Sequence, residues 1–526
     1  MNQKHYLIKG TLLLTIMGLL TRIAGFFYKI FLSRTIGASE IGLYQVALPV
    51  LSFCSALCGG GVQTAISKLT AKYLAERRQQ EARLALIAGL LLSLFLSFFL
   101  TLGLYFGARL IAGRLLLEES CEGLLKIMTF SLPFNMIHGC VCGYFIGAKH
   151  IVPPALSQFI EQLIRIFFVV LAYTLSLNSN RPADARLMAF GALAGEAASA
   201  IFCMISLYVL CIKKTHMDGR APAPVLFSDQ RLNSSVREKF FCHRLTLSVR
   251  QLLSISLPLS MNRMLMCILQ AIEAALLPQM LRLSGLTPVE ALSVYGTLTG
   301  MALPLLLFPT AITSALGMLL LPAVSEAQAL QKHNQLSHTA NAAFLGGLLL
   351  GSFCLGGFLL FGNEIGSILF QSELAGVCIR RLALICPLIY ISTTLTSILH
   401  GLGKTSSLLL WNLAGFALRL LGVLRLVPAY GINGYLCGML LDQILLTGCI
   451  LFFLHQKRLL TISIPHALTR FLLPAASAGG SAFLFLILSE QKIPARIGLI
   501  TGGGIYCVFF LLSAAPAFTA FSASDL

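Results

Sequence analysis

The sequence predicts an all-α polytopic membrane protein with 14 transmembrane helices: two parallel-repeat six-helix bundles followed by two further C-terminal helices. Three observations predict it. The 526 residues are 57% hydrophobic and only 11% charged, with a mean hydropathy of +0.85, whereas soluble domains carry about 25% charged residues. Apolar stretches near the roughly 20 residues that cross a bilayer recur fourteen times along the chain. The second half also repeats landmarks of the first. Such a chain has no room for a large extramembrane catalytic domain, and it is far more than a single-pass anchor. The net charge of +18 would point to nucleic acid in a soluble protein. Here its placement makes it a topology signal, and no nucleic-acid partner is expected.

The first span, 10–32, follows Lys4 and Lys9 and so begins like a signal peptide. Arg22 and Lys29 interrupt the apolar run, and no small-residue cleavage site follows, so it is expected to remain as a span. Stretches at 41–67, 84–108, 124–147, 152–177 and 187–212 complete an N-terminal half, residues 1–212. The segment 213–250 is polar, holds Pro222, Pro224 and eight Lys or Arg, and reads as a basic cytoplasmic linker. The second half, 251–455, has stretches at 251–281, 292–324, 339–362, 377–400, 405–427 and 431–455. Residues 456–526 add two more, at 466–489 and 493–514. Lys and Arg in the alternating loops number 21 on the side of the N-terminus and linker and 11 on the other. The positive-inside rule then puts the N-terminus, the linker and the C-terminus in the cytoplasm of a cell-membrane protein.

The repeat is visible within the chain. LPFNMIHGCVCGYFIGAKH followed by LSQFIEQLIRI matches CPLIYISTTLTSILHGLGK followed by LWNLAGFALRL, with 32 residues from Pro133 to Arg165 and 32 from Pro387 to Arg419. ASEIGLYQVALP resembles PVEALSVYGTLTG, and Lys9 to Arg22 and Arg250 to Arg263 are both 13 residues. Spans one and seven are separated by an even number of crossings, so the halves run in the same direction. They are expected to be related by a pseudo-two-fold axis along the membrane normal.

Ten ionisable residues fall within the spans: Arg22, Lys29, Lys126, Arg165, Arg263 and Arg419 against Glu161, Glu196, Glu273 and Asp442. Each costs about 2.5 to 3.5 kcal/mol at a helix centre, so they should face a protein-lined aqueous cavity. Arg22 and Arg263 sit at matching depth, roughly 20 Å from their helix starts at 1.5 Å per residue, and the pseudo-symmetry would set them opposite each other across a cleft. Lys29 follows Arg22 by two turns on the same face. Glu161 and Arg165, four residues apart, read as a local structural pair; Gly415 takes the place of Glu161 before Arg419. Surplus fixed positive charge suits an anionic substrate, and Arg binds phosphate bidentately. Arg22, Lys29, Arg263 and Arg419 are therefore the expected ligands of an anionic, phosphate-bearing substrate; the alternative is that these cations pair with the four acids and only hold helices together. Glu273 and Asp442 are either proton or sodium coupling sites or helix-to-helix hydrogen-bonding groups. His138 and His400 read as packed or capping residues, with protonation coupling as the alternative.

Other chemistry has little support in the residues. Most of the fifteen cysteines fall in apolar runs with no CxxC pair, as expected of small core residues, so no metal and no cofactor is expected. GLGKT at Gly401–Thr405 imitates the end of a P-loop, but Ile398 stands where the first glycine belongs, so no ATP engine is expected. The five Asp form no DxD pair, and the longest outer loops are too short for a glycan polymerase, so the chain is not expected to be an enzyme. Gly143 with Gly147, Gly296 with Gly300 and Gly434 with Gly438 mark close helix packing.

The segments TRIAGFFYKIFLSRTIGASEIGLYQVALPV, GGGVQTAISKLTAKYLAE, LPLSMNRMLMCILQAIEAALLP, YGTLTGMALPLLLFP, LLLPAVSEA and ILHGLGKTSSLLLWNLAG with VPAYGINGYLCG resemble the stage V sporulation protein B group. That group lies in the oligosaccharidyl-lipid/polysaccharide exporter (MOP) superfamily, beside the MurJ lipid II flippases and Wzx-type flippases and related to the MATE drug exporters. The resemblance covers nearly the whole chain. It implies an alternating-access flippase for an undecaprenyl-pyrophosphate-linked glycan such as lipid II, serving peptidoglycan synthesis in growth or in sporulation. It also implies cleft arginines on the pyrophosphate and a lipid-tail groove formed by the last two spans. Arg22 matches the first-span arginine of the MurJ pattern. Tyr28, beside Lys29, replaces a second; Phe53 and Cys54 stand where a second-span arginine is expected, and Pro304 where an eighth-span one is. Arg263 in MNRM fits the sporulation-type group. The alternatives are a flippase for teichoic or capsular lipid-linked oligosaccharide and a MATE-like cation-coupled exporter, the latter expected to have twelve spans and an acidic cavity. The expected partners are the lipid-linked substrate and membrane lipids, with the chain a monomer.

Overall fold

A computed structural model describes residues 3–179, 183–217, 234–461, 474–484 and 495–524. Residues 218–233 of the expected linker, and 466–473 and 485–489 of the expected thirteenth span, lie outside the described residues. Every regular element among the described residues is a helix, as a lipid-embedded backbone requires when no water is at hand for its N–H and C=O groups.

The chain begins with α1 (Gln3–Thr35), α2 (Ala38–Gly59), α3 (Val62–Ala75), α4 (Gln79–Leu110), α5 (Cys121–Met128), α6 (Ser131–Gly147), α7 (Val152–Asn178) and α8 (Ala185–Met217). It continues with α9 (Ser234–Leu283), α10 (Pro288–Gly296), α11 (Leu303–Leu307), α12 (Thr310–Ala329), α13 (His333–Phe370), α14 (Glu373–Leu382), α15 (Cys386–Gly401) and α16 (Thr405–Arg425). The last elements are α17 (Val427–Tyr430), α18 (Ile432–Gln456), α19 (474–484) and α20 (Ala495–Ser524). Thirteen helical stretches among the described residues are long and apolar enough to cross a membrane. The chain is a multi-pass membrane protein.

Four expected spans are interrupted. The fourth breaks at Thr129–Phe130 and the tenth at Ala383–Ile385. The second bends at Gly60–Gly61 between α2 and α3, and the eighth, expected to run through 292–324, is divided at Phe308–Pro309 into Pro288–Leu307 and Thr310–Ala329. Proline removes a helix donor, and neighbouring helices take up polar groups freed at the breaks in the second and eighth. The Gly61 N–H donates to Ser260 Oγ at 2.9 Å, and the Tyr390 hydroxyl donates to the Leu306 carbonyl at 2.6 Å. Hydropathy runs unbroken through both sites, which is why the sequence reads each as one span.

The chain forms two compact units, Met1–Tyr28 with Leu43–Ala275, and Lys29–Gly42 with Leu276–Leu526. In the first, Val62, Ile66 and Leu69 of α3 pack with Leu86 of α4, Cys140 of α6 and Leu252 of α9. Gly143 and Gly147 let α6 approach α3 so closely that an added Cβ would stand 2.5 Å from the carbonyl oxygens of Gln63 and Ser67. Residues up to 275 join this unit because α9 runs against the α2–α3 break: a Cβ on Gly61 would lie 2.2 Å from the Ser256 carbonyl oxygen.

In the second unit, Phe344 and Leu348 of α13 centre a cluster with Leu395 and Leu399 of α15 and Ile450 of α18. A separate cluster docks the C-terminal helices: Ala475, Ala478 and Ala482 of α19 pack with Phe361 of α13 and with Tyr506 and Phe510 of α20. The Tyr506 hydroxyl donates to the Phe353 carbonyl at 2.7 Å. Lys29–Gly42 belongs here for two reasons. Arg34 donates to the carbonyls of Leu369 (2.8 Å) and Ile368 (2.6 Å) at the C-terminal end of α13, where the helix dipole favours a cation. Gly42 meets α10 backbone to backbone, a Cβ there falling 2.1 Å from the Leu292 carbonyl oxygen. A capping box starts α10: Glu290 accepts from the Thr287 N–H (2.8 Å) and donates its own N–H to Thr287 Oγ1.

Candidate substrate cavity

Within the first unit, α2, α3, α6, α7, α8 and α9 enclose a cavity of about 670 Å³, the size range of small-molecule sites. Each helix supplies one face. On α9 the lining residues are Arg263, Met266, Cys267 and Gln270, at i, i+3, i+4 and i+7; on α6 they include Asn135, His138, Gly139 and Cys142. Gln63 of α3, Gln158 of α7 and Glu196 of α8 complete a polar wall of amides around one guanidinium and one carboxylate.

Behind that wall runs a buried network. Asn135 Nδ2 donates to Glu196 Oε1 at 3.0 Å, while Glu196 Oε2 is buried with no hydrogen-bond partner. Arg165 pairs with Glu161, as their four-residue spacing predicts. His138 Nδ1 lies 4.0 Å from Glu161 Oε2, and its Nε2 is 2.9 Å from Ser157 Oγ. Among the described residues, two groups have donor atoms close enough to share a cation: His138 with Glu161 and Glu196, and His138 with Cys142 and Cys203.

The expected phosphate ligands divide between the units. Arg263 and Arg22 belong to the first and Lys29 and Arg419 to the second. Arg263 and Arg22 are both exposed; Arg263 lines the cavity, and Arg22, on α1, is not part of the lining. No carboxylate among the described residues lies within 4.0 Å of Arg22, Lys29 or Arg263. Arg419 differs: its guanidinium lies 3.5 Å from Asp442 of α18 and 4.3 Å from the Phe416 ring centroid. The sequence places no carboxylate within a turn of Arg419, and the fold supplies one from the neighbouring helix. Glu273 is buried on α9, outside the lining. Lys126, counted among the intramembrane cations, forms a partly exposed pair with Glu122 at 2.6 Å.

His138, Asn135, Gln158 and Gln270 are cavity residues that the sequence did not single out for binding. The signal was present on α6, where Asn135, His138 and Cys142 recur at intervals of three and four in an otherwise apolar helix.

The chain matches the family model described as polysaccharide biosynthesis protein over residues 7–328. Stage V sporulation protein B of Bacillus subtilis (strain 168) is 28% identical over 448 residues, covering 84% of this chain and 82% of that protein. Lipid II flippase MurJ of the same organism is 28% identical over 180 residues, 33% of each chain. The solved structure of lipid II flippase MurJ in an inward closed conformation superposes with a TM-score of 0.66 at 14% identity, covering 96% of this chain and 100% of that one. The last is a likeness of fold. The resemblance carried by the sequence motifs is borne out.

Proposed function

Because the chain belongs to the polysaccharide biosynthesis protein family, we propose that it is a flippase carrying an undecaprenyl-pyrophosphate-linked glycan, lipid II or a related peptidoglycan precursor, from the inner to the outer leaflet by alternating access. One observation carries the reading: Arg263, with no carboxylate within ion-pair distance among the described residues, faces a cavity whose other polar walls are mostly neutral amides. A diphosphate needs the guanidinium; sugars and peptide need the amide donors and acceptors. The named relatives, a sporulation protein and a lipid II flippase, support the substrate class.

In this reading Arg263 and Arg22 are the phosphate ligands of the first unit. Lys29 and Arg419, which belong to the second unit, are proposed as phosphate ligands too, Arg419 only after release from Asp442. Glu273 and Asp442 are the carboxylates proposed for proton or sodium coupling, with no ATP used. The protein works as a monomer, its termini and linker cytoplasmic.

The test is a leaflet-specific assay of lipid II in cells depleted of their other flippases. Arg263→Ala is expected to abolish outward movement at wild-type protein levels in the membrane, Arg263→Lys to retain part of it, and Arg22→Ala to lower it. Wild-type transport by both alanine variants would discard the phosphate-ligand assignment.

A further inference from the structure

His138 and Cys142 stand one turn apart on α6, and Cys203 reaches them from α8. Their donor atoms all lie within 4.8 Å of one another. The two sulfurs are 3.7 Å apart, and two thiolates bound at about 2.3 Å to a tetrahedral zinc ion would be separated by about 3.8 Å. His138 turns Nε2 towards this pair, over a Ser157 hydroxyl that is 2.9 Å from the ring nitrogen and 3.7 Å from Cys142 Sγ. Its other nitrogen, Nδ1, faces Glu161 at 4.0 Å, and Arg165 fixes that carboxylate in turn. At 4.0 Å this is proximity and not a hydrogen bond; on closing to hydrogen-bond distance, Glu161 would orient His138 as carboxylates orient metal-binding imidazoles.

We propose that His138, Cys142 and Cys203 form a binding site for a divalent cation of zinc type, with Glu161 as the group that positions His138. The ligand set is two sulfurs and one nitrogen, which selects a borderline-soft metal over magnesium or calcium. Charge balance also fits: a doubly charged ion with two thiolates and a neutral imidazole has no net charge, so it can be held where both cysteines are buried. His138 and Cys142 line the cavity, which gives the ion its entry path and leaves the fourth coordination position open to water. A bound ion ties α6 to α8 beside the cavity. The proposal does not rest on the flippase reading.

The test uses the full-length protein, stripped of metal in detergent and titrated with Co²⁺. The expected result is one Co²⁺ per chain, with tetrahedral visible bands and thiolate-to-cobalt charge-transfer absorption, displaced by Zn²⁺. Cys203→Ser removes the charge-transfer band or halves it. Glu161→Gln keeps the band and weakens binding about 10- to 100-fold. Absence of thiolate absorption at stoichiometric Co²⁺, or an undiminished band in Cys203→Ser, overturns the site; unchanged affinity in Glu161→Gln overturns the role of Glu161. Should Cys203→Ser fail to fold, X-ray absorption on the zinc-loaded wild type decides. Sulfur scatterers at about 2.3 Å support the site, and a shell of nitrogen and oxygen alone rejects it.

Discussion

Arg165 and Arg419 occupy equivalent positions of the internal repeat, yet their carboxylates come from different directions. Arg165 is met by Glu161 from its own helix. At the position equivalent to Glu161 the second half has Gly415, and the space is filled by Asp442: a Cβ added at Gly415 would stand 2.2 Å from Asp442 Oδ1. The loss of one acid and the small size of its replacement are therefore one change, which admits a carboxylate from α18. With side chains only 16% and 9% exposed, breaking this pair from one side should cost about 3–5 kcal/mol, whereas replacing both partners by apolar groups of similar volume is often neutral or better. Asp442→Ala is expected to lower the thermal midpoint in detergent sharply, and Arg419→Met with Asp442→Leu to recover most of it. A double variant no more stable than the single one would show that the pair is not what holds α16 to α18. The contrast also marks what the sequence discloses at this scale. A pair four residues apart is written in the spacing; Arg419 with Asp442, 23 residues apart across a helical turn-around, is set by how α16 and α18 pack, which spacing does not encode.

At the scale of elements, glycine fixes where helices touch. The three small-residue pairs visible in the sequence all prove to be close contacts: Gly143 and Gly147 on α3, Gly296 on α2, Gly434 on the Leu426 carbonyl. Gly42 lies within ASEIGLYQ and Gly296 at the end of PVEALSVYG, at positions that do not correspond, and they meet each other; a Cβ at Gly296 would lie 2.0 Å from the Ala38 carbonyl oxygen. Because the clash is with backbone, no rotamer relieves it. Overpacking in a close-packed interior costs about 1–3 kcal/mol, so Gly42→Ala or Gly296→Ala is expected to lower thermal stability measurably, and leucine at either place to prevent accumulation in the membrane. Gly346, with nothing within 4 Å of its added Cβ, is the control: Gly346→Ala should be silent. The repeat and the helices were legible because hydropathy and spacing are local. The cavity was not, because it is assembled from faces of six helices, and a stripe such as Asn135, His138 and Cys142 gains meaning only when α7 and α8 are beside it.

For the whole molecule, the division into units and the division into repeats do not coincide. The repeats change over in the basic segment 213–250, but α1 passes from the first unit to the second after Tyr28, and α9 passes between them after Ala275, each without a helix break. The proposed orientation rests on charge. Juxtaposed loops hold 21 Lys and Arg on one side against 11 on the other, and basic residues resist translocation while acidic ones contribute little. Alkaline phosphatase fused within the linker near Pro224 is therefore expected to be inactive, and a fusion in the loop after Asn178 to be active. Removing five of the linker's eight basic charges, by replacing Arg220, Arg231, Arg237, Lys239 and Arg244 with Gln, should shift part of the population towards the opposite pattern, since Arg237, Lys239 and Arg244 stand just before the seventh span, where the second half takes its direction. If the linker fusion were active in the unaltered chain, the cytoplasmic placement of the termini would fall with it, while the helical fold would stand, because the packing of α1 to α20 does not depend on which way the protein faces.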